Sequence, residues 1–466
     1  MVLVTMSCSR RDGVVVPDDP VPAPGFVGIA DGHFVVDGEL WFPLMLNYKA
    51  EMRMVDGEVQ VVPAPWYTDG PMQRHFDTIA SWGFNAVRIC LDADYSDFDT
   101  ADMYRAVRRA VLQADSAGLR VMLLVQPPLD SFWLEYTEGL LRYMADVPAL
   151  WAYDLMNEPL YFDPEPKREK HAADSIVLAW RNMVRRNAPH QLFTVGMAEP
   201  IEVFEWDPST LAVDFIEMHT YHPLRVQSEM WWYSHYCGKP WMVGETGLPA
   251  DGDTVPYPCQ GQFMYDTYQY AKLMGVAGYG WWDFQDCPKG DHFEARHTGL
   301  RDSNGHRKPA VDMVSYLDSF GGVEVEPYMP SNYYNMLAYD NLAATGRVVD
   351  RHGRPIAGAV IRGWNDDWSI GMNTFTDIAG RFRLVSNDIC THFEISAPGC
   401  TKVKFDKRLP YPEGLQLPDR LREYQQIPLL GWYDVFPITL PNPYDDRYRA
   451  KDAVEVDMGD VVLERR

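Results

Sequence analysis

Eight short apolar runs, each five to seven residues long, recur between residues 41 and 283. They are WFPLMLN (41–47), NAVRICL (85–91), RVMLLVQ (120–126), LWAYDLM (150–156), LFTVGM (192–197), DFIEMH (214–219), WMVGE (241–245) and AGYGWWD (277–283). Runs this short and this apolar suit strands covered on both faces, as in parallel sheets. Helical patterns separate most of them. Met103, Val107, Ala110, Val111 and Ala114 share a helical face before Gly118, as do Ile176, Val177, Trp180, Met183 and Val184 before Pro189. A third pattern opens at Pro309, with Val311, Val314, Leu317 and Phe320 on one side. The fifth and sixth runs are joined by only a weak helix. Eight strand–helix units in about 300 residues predict an α/β fold, the (β/α)8 TIM barrel, which takes ~250 residues and keeps its chemistry at the carboxyl ends of the strands.

The barrel is expected over 25–320, with a polar lead-in at about 20–33, and residues 1–24 form a tether before it. Residues 321–342 lack periodicity and read as a linker. Composition then changes to a small all-β sandwich over 343–466. TGRVVDRHGRPIAGAVIRGW alternates around a turn at Asp350-Arg351-His352-Gly353, and TFTDIAGRFRLVS turns at 377–380. The stretch 403–445 is Pro- and Tyr-rich and irregular, and VDMGDVVLER is a last strand-like run.

Charge and cysteine usage narrow the function classes. A formal net charge of -24 leaves no basic surface for phosphates, so nucleic acid is excluded as a partner. It is compatible with neutral polysaccharides. The 15 Trp and 26 Tyr suit a large core, which most of them are expected to fill, and also a surface that stacks on sugar rings. The seven cysteines have no zinc-ligand spacing. Cys90 lies in a core run and is expected to be a buried thiol, while Cys390 and Cys400 could pair in an exported chain. MVLVTMSCSRRDG resembles the end of a bacterial lipoprotein signal, which would put a lipid on Cys8 and the protein in the periplasm or on the cell surface. The alternative is a disordered terminus with an incidental cysteine. No stretch has the ~20 consecutive apolar residues of a membrane span.

Two strand ends carry glutamates. LWAYDLM runs into Asn157-Glu158-Pro159, and proline cannot continue a ladder, so Glu158 is held at a strand end facing the mouth. WMVGE ends in Glu245, between Gly244 and Gly247. Two such carboxylates are the minimum equipment for cleaving a glycosidic bond. Arg88, inside NAVRICL, either reaches the mouth to keep Glu245 ionised or forms an internal salt bridge. Asn157 could donate to a sugar hydroxyl or simply form the turn. His219 and Tyr221 alternate and so share a face, Tyr221 within reach of Glu245 and His219 of the sugar or Glu158. Trp281 and Trp282 face opposite sides, one towards the mouth and one towards the core.

Ordered and spaced in this way, the residues resemble clan A of the glycoside hydrolases, most closely family 5, the cellulase and mannanase family. The resemblance covers roughly 25–320 and implies a (β/α)8 barrel and a retaining double displacement. Asn157-Glu158-Pro159 matches the family's acid/base motif, and Glu245-Thr246-Gly247 makes Glu245 similar to its nucleophile. Arg88, Asn157, His219, Tyr221 and Trp282 fall where the family has its other active-site residues, with Trp281 as the alternative tryptophan. Gln126 stands where the family often has a histidine. The sandwich resembles the carboxypeptidase regulatory-like domains, of transthyretin-like fold; Trp364 and Trp368 are its candidates for a carbohydrate contact. The implied activity is a retaining hydrolase of a neutral β-linked polysaccharide or oligosaccharide, of β-mannan or β-glucan type. It is expected to act as a monomer and to need no metal or cofactor. The rival readings are a carbohydrate-binding barrel that has lost its chemistry and an interaction scaffold.

Overall fold

The computed structural model describes residues 9–11, 14–16, 19–68, 70–91, 97–125, 131–221, 225–291, 293–319, 342–368, 371–386, 389–410, 413 and 454–466. Cys8, Gln126, Phe320, nearly all of the expected linker and most of the irregular stretch after 410 lie outside the described residues.

All eight apolar runs contribute a strand. They are β1 (Leu44–Val55), β2 (Ala86–Leu91), β3 (Arg120–Leu124), β4 (Leu150–Asn157), β5 (Leu192–Met197), β6 (Ile216–His219), β7 (Trp241–Glu245) and β8 (Tyr279–Trp281). Each is parallel to the next, and β8 pairs with β1 through Tyr279–Leu44 and Trp281–Leu46, closing a TIM barrel. The first strand runs past its expected end. Asp56 and Gly57, both at positive φ, make a two-residue turn that folds β1 back on Glu58–Pro63 as a hairpin.

Outside the barrel run α1 (Met72–Ser81), α2 (Thr100–Ser116), α3 (Ser131–Met144), α4 (Lys170–Asn187), α5 (Val226–Tyr236) and α6 (Tyr257–Leu273). α2 is capped by the Asp99 carboxylate, which accepts from the backbone N–H of Ala101 at 2.9 Å, and it buries the face read from its periodicity. The weak helix between β5 and β6 is a single 3-10 segment, Pro200–Phe204. The pattern from Pro309 becomes one helical turn, Ala310–Met313, followed by the 3-10 segment Val314–Ser319.

The expected polar lead-in is instead a plug. Val27–Ala30 and His33–Val36 form a hairpin whose Val27 and Phe34 are buried against Met45, Ala86, Met122, Trp151, Leu192, Phe215 and Met242 at the amino end of the barrel. Its Asp31-Gly32 turn made the stretch look like a loop. Because alternate strand residues face the same way, the residues two further on step up the barrel axis. There the lining changes from apolar to polar, with Asn47, Arg88, Asp154, Thr194 and Glu217 all buried.

The C-terminal unit is an all-β sandwich. One sheet holds β9 (Leu342–Val349), β12 (Arg381–Ser386) and β15 (Val454–Val462). The other holds β10 (Val360–Trp364), β11 (Gly371–Phe375), β13 (His392–Ser396) and β14 (Val403–Asp406). Their inner faces share one core, in which Val348, Phe382 and Leu384 meet Ile361, Phe393 and Ile395. Cys390 and Cys400 are both thiols here, not a disulfide. Cys390 lies beside Gly363 of β10, whereas the Cys400 backbone turns towards the barrel.

The two units are packed tightly. Buried Lys170, at the start of α4, donates to Asp207 at 3.0 Å and to the sandwich carbonyls of Cys400 and Ala397 at 2.9 and 3.3 Å. The Trp232 indole N–H donates to the Gly358 carbonyl at 2.8 Å, and Gly358 sits at φ 69 against the Tyr236 ring, where a Cβ would clash. Lys170→Ala would strand a buried carboxylate, at a cost of about 3–5 kcal/mol. Urea denaturation should show that loss together with faster proteolysis of the sandwich; an unchanged midpoint would mean that Lys170 does not join the units.

Candidate active site

The carboxyl end of the barrel gathers the glutamates and their neighbours around one guanidinium. Arg88, from β2, is fully buried. Its Nη1 donates to Glu245 Oε1 at 2.5 Å and to Asn47 Oδ1 at 3.0 Å. Nη2 donates to Asp154 Oδ2 at 2.6 Å and to Asn157 Oδ1 at 2.9 Å. Nε lies 3.2 Å from Asp154 Oδ2 and 3.2 Å from Glu217 Oε1. Arg88 therefore contacts Glu245 and also closes an internal ion-pair network with Asp154 and Glu217.

Glu245 ends β7 and is buried, and Tyr221 donates its hydroxyl to Oε2. Burial alone raises its pKa, but the charges of His219 and Arg88 and the Tyr221 hydrogen bond reverse this and hold it below the usual carboxylate range. Glu158 directly follows β4 in the left-handed region, at φ 41, where the chain turns sharply into a short helix, Pro159–Phe162. Its N–H donates to the Gly196 carbonyl at 2.8 Å. Its Oε1 meets His219 Nδ1 at 2.8 Å. Ligand atoms of Glu158, His219 and Glu245 all lie within 4.8 Å of one another.

His219 is buried, which by itself would lower its pKa, yet Glu245, Glu158 and Glu217 together push it up to about 10. Glycines make room for this arrangement. A Cβ at Gly196 would lie 2.9 Å from His219 Cε1, and one at Gly244 would lie 2.2 Å from Glu217 Cγ. Glu158, His219 and Glu245 could present three atoms to a cation, but both Glu245 oxygens already accept hydrogen bonds from Arg88 and Tyr221.

The remaining expected residues are placed as follows. Asn157 offers its oxygen to Arg88, so its amide nitrogen is the end left to face a ligand. Trp281 is fully buried, donates its indole N–H to the Thr298 carbonyl at 3.2 Å and packs on Phe263, so it belongs to the core. Trp282 is half-buried, with Lys49 Nζ 5.1 Å from its ring centre. Gln126 lies outside the described residues. On the sandwich, Trp364 is buried and stacks at 4.7 Å on exposed Trp368.

Four residues here escaped the sequence reading. Asn47 donates to the Gly244 carbonyl at 2.9 Å and the Trp281 carbonyl at 3.1 Å, tying β1 to β7 and β8. Asp154 accepts from Arg88 and also from the N–H groups of Met156 and Gly196, at 3.2 and 3.1 Å. Glu217 backs His219, with Oε1 3.6 Å from Nε2. Glu202, on the 3-10 segment, accepts from the N–H groups of Leu160 and Ala198 at 3.0 and 3.2 Å and so fixes the turn after Glu158. Burial raises the Glu202 pKa to about 8. Asp154 and Glu217 carried the signal that picked out Arg88: a charge inside an apolar strand requires a partner.

Folding lifts the His219 pKa from 6.5 to about 10. Its pairing therefore stabilises the fold fully below the lower value and is lost as pH rises through the upper one. Glu217→Gln removes one of three carboxylates facing the ring. The His219 titration followed by NMR should then have a lower midpoint, and the loss of thermal stability with rising pH should be complete at a lower pH. An unmoved midpoint would show that Glu217 does not hold the imidazolium.

No protein-family model and no curated protein matches the chain. Among solved structures, the chain is similar to a GH5_18 variant from Streptomyces cattleya in complex with Manb1-4GlcNAc, at 16% identity over 60% of this chain and 79% of that one, with a TM-score of 0.47. A GH5_18 from Bifidobacterium longum subsp. infantis gives 16% identity over 61% and 79%, with a TM-score of 0.47. The endo-1,4-beta-mannanase from Rhizomucor miehei gives 12% identity over 62% and 99%, with a TM-score of 0.44.

Proposed function

We propose that the protein is a retaining β-glycoside hydrolase acting on a neutral β-linked polysaccharide or oligosaccharide of β-mannan or β-glucan type. The observation that carries this is the approach of Glu158 and Glu245, whose facing atoms lie within 4.8 Å across the mouth of the barrel. Retaining sites hold their carboxyl groups ~5–5.5 Å apart, whereas inverting sites leave ~6.5–9.5 Å for a water between them.

Glu245, kept ionised by Arg88, His219 and Tyr221, is the nucleophile. It attacks the anomeric carbon as the glycosidic C–O bond breaks. The leaving oxygen takes the proton from Glu158, which sits at the strand end against His219. Glu158, now a carboxylate, takes a proton from water, and that water attacks the same carbon and frees Glu245. In this reading Asn157 donates to a sugar hydroxyl as charge develops, and the Trp282 ring is a floor for the sugar. None of these steps needs a metal or cofactor.

Hydrolysis of defined β-mannans and β-glucans, with release of reducing ends, tests the activity. Glu245→Gln should lose roughly 10⁴-fold or more of kcat while keeping the wild-type circular dichroism, with a lowered Tm because Arg88 loses one of its buried carboxylates. Glu158→Gln should lose about 10²–10⁴-fold on substrates with poor leaving groups. Near-native turnover by Glu245→Gln would remove Glu245 from the mechanism.

A further inference from the structure

The segment that follows Glu158 is pinned at both ends and yet presents two aromatic rings to solvent. At its start, Pro159 is buried and the Leu160 N–H is held by Glu202 at 3.0 Å. At its end, buried Asp163 accepts from the Trp206 indole at 3.1 Å and pairs with Arg168 at 2.8 Å. Between them, Tyr161 and Phe162 are 58% and 61% exposed. The Tyr161 hydroxyl donates to Glu199 Oε1 at 3.1 Å, and the same oxygen accepts from Arg225 Nη1 at 2.6 Å. Arg225 in turn lies 3.6 Å from Glu229, which accepts from Thr220 at 2.6 Å. The platform thus spans the carboxyl ends of β4, β5 and β6, the rim on the Glu158 side of the mouth.

We propose that Tyr161 and Phe162 form the subsite for the departing sugar, a pyranose ring that stacks on the Tyr161 face and hydrogen-bonds to Glu199 and Arg225 at its edge. This rests on the assignment of Glu158 as the proton donor, because the group that receives its proton lies on its side of the mouth. The rigid mounting means that ring placement costs little ordering on binding. The cleft then continues beyond the bond that is cut, and the preferred substrate has sugars on both sides of that bond.

The test compares a substrate with a sugar leaving group against one without. The pairs are mannotetraose with β-mannosyl fluoride and cellotetraose with β-cellobiosyl fluoride, using whichever pair the wild type hydrolyses. Tyr161→Ala should lower the ratio of tetrasaccharide to fluoride kcat/KM by about ten-fold. Tyr161→Phe keeps the ring and should retain most of that ratio. Transfer to an added sugar acceptor should weaken in parallel in Tyr161→Ala. An unchanged ratio, whether both rates fall together or neither falls, would overturn the subsite. A wild-type protein inert on every substrate would instead overturn the hydrolase assignment beneath it.

Discussion

A single buried cation, Arg88, organises the carboxyl end of this barrel. Its planar fork reaches Asn47 on β1, Asp154 and Asn157 on β4, Glu217 on β6 and Glu245 on β7. A lysine could not satisfy that many acceptors in one plane. Leaving such a charge unmatched inside a barrel would be severely destabilising, so the surrounding carboxylates serve the fold and the site together. The same contact explains how Glu245 remains ionised although it is buried. Stability and the ionisation of Glu245 are here two consequences of one ion-pair network.

Much of the fold could be read from short apolar runs, because a closed parallel barrel leaves each strand covered on both faces. What escaped was set by local turns. The Asp31-Gly32 and Asp56-Gly57 turns each sit at positive φ and build hairpins from stretches that look polar in one dimension. At the site, Glu158 and Glu245 stood out because each ends a strand beside a breaker. Asp154 and Glu217 sit inside strands, and Glu202 lies on a short 3-10 segment with no periodicity. Their contacts reach across strands or loops, and no spacing along the chain records them.

The sandwich bears on the site through packing. Lys170, Asp207 and Gly399 join it to the barrel, and Lys402 reaches Glu205 at 3.0 Å, one residue beyond the 3-10 segment that carries Glu202. That segment supports the turn of Glu158. The C-terminal unit therefore buttresses the Glu158 side of the mouth, a role that requires no glycan contact of its own. Trp364 and Trp368 stack on each other, with Arg362 4.8 Å from the Trp368 ring centre, which gives that pair a structural use as well.

The central claim is that Glu245 forms a bond to the sugar, and the configuration of the first product reports on this most directly. Proton NMR of a fresh digest of the β-linked substrate, recorded before mutarotation, distinguishes the anomers. Two displacements at one carbon predict that the β-anomer appears first. Initial release of the α-anomer would mean a single displacement by water and would contradict the assignment of Glu245 as nucleophile.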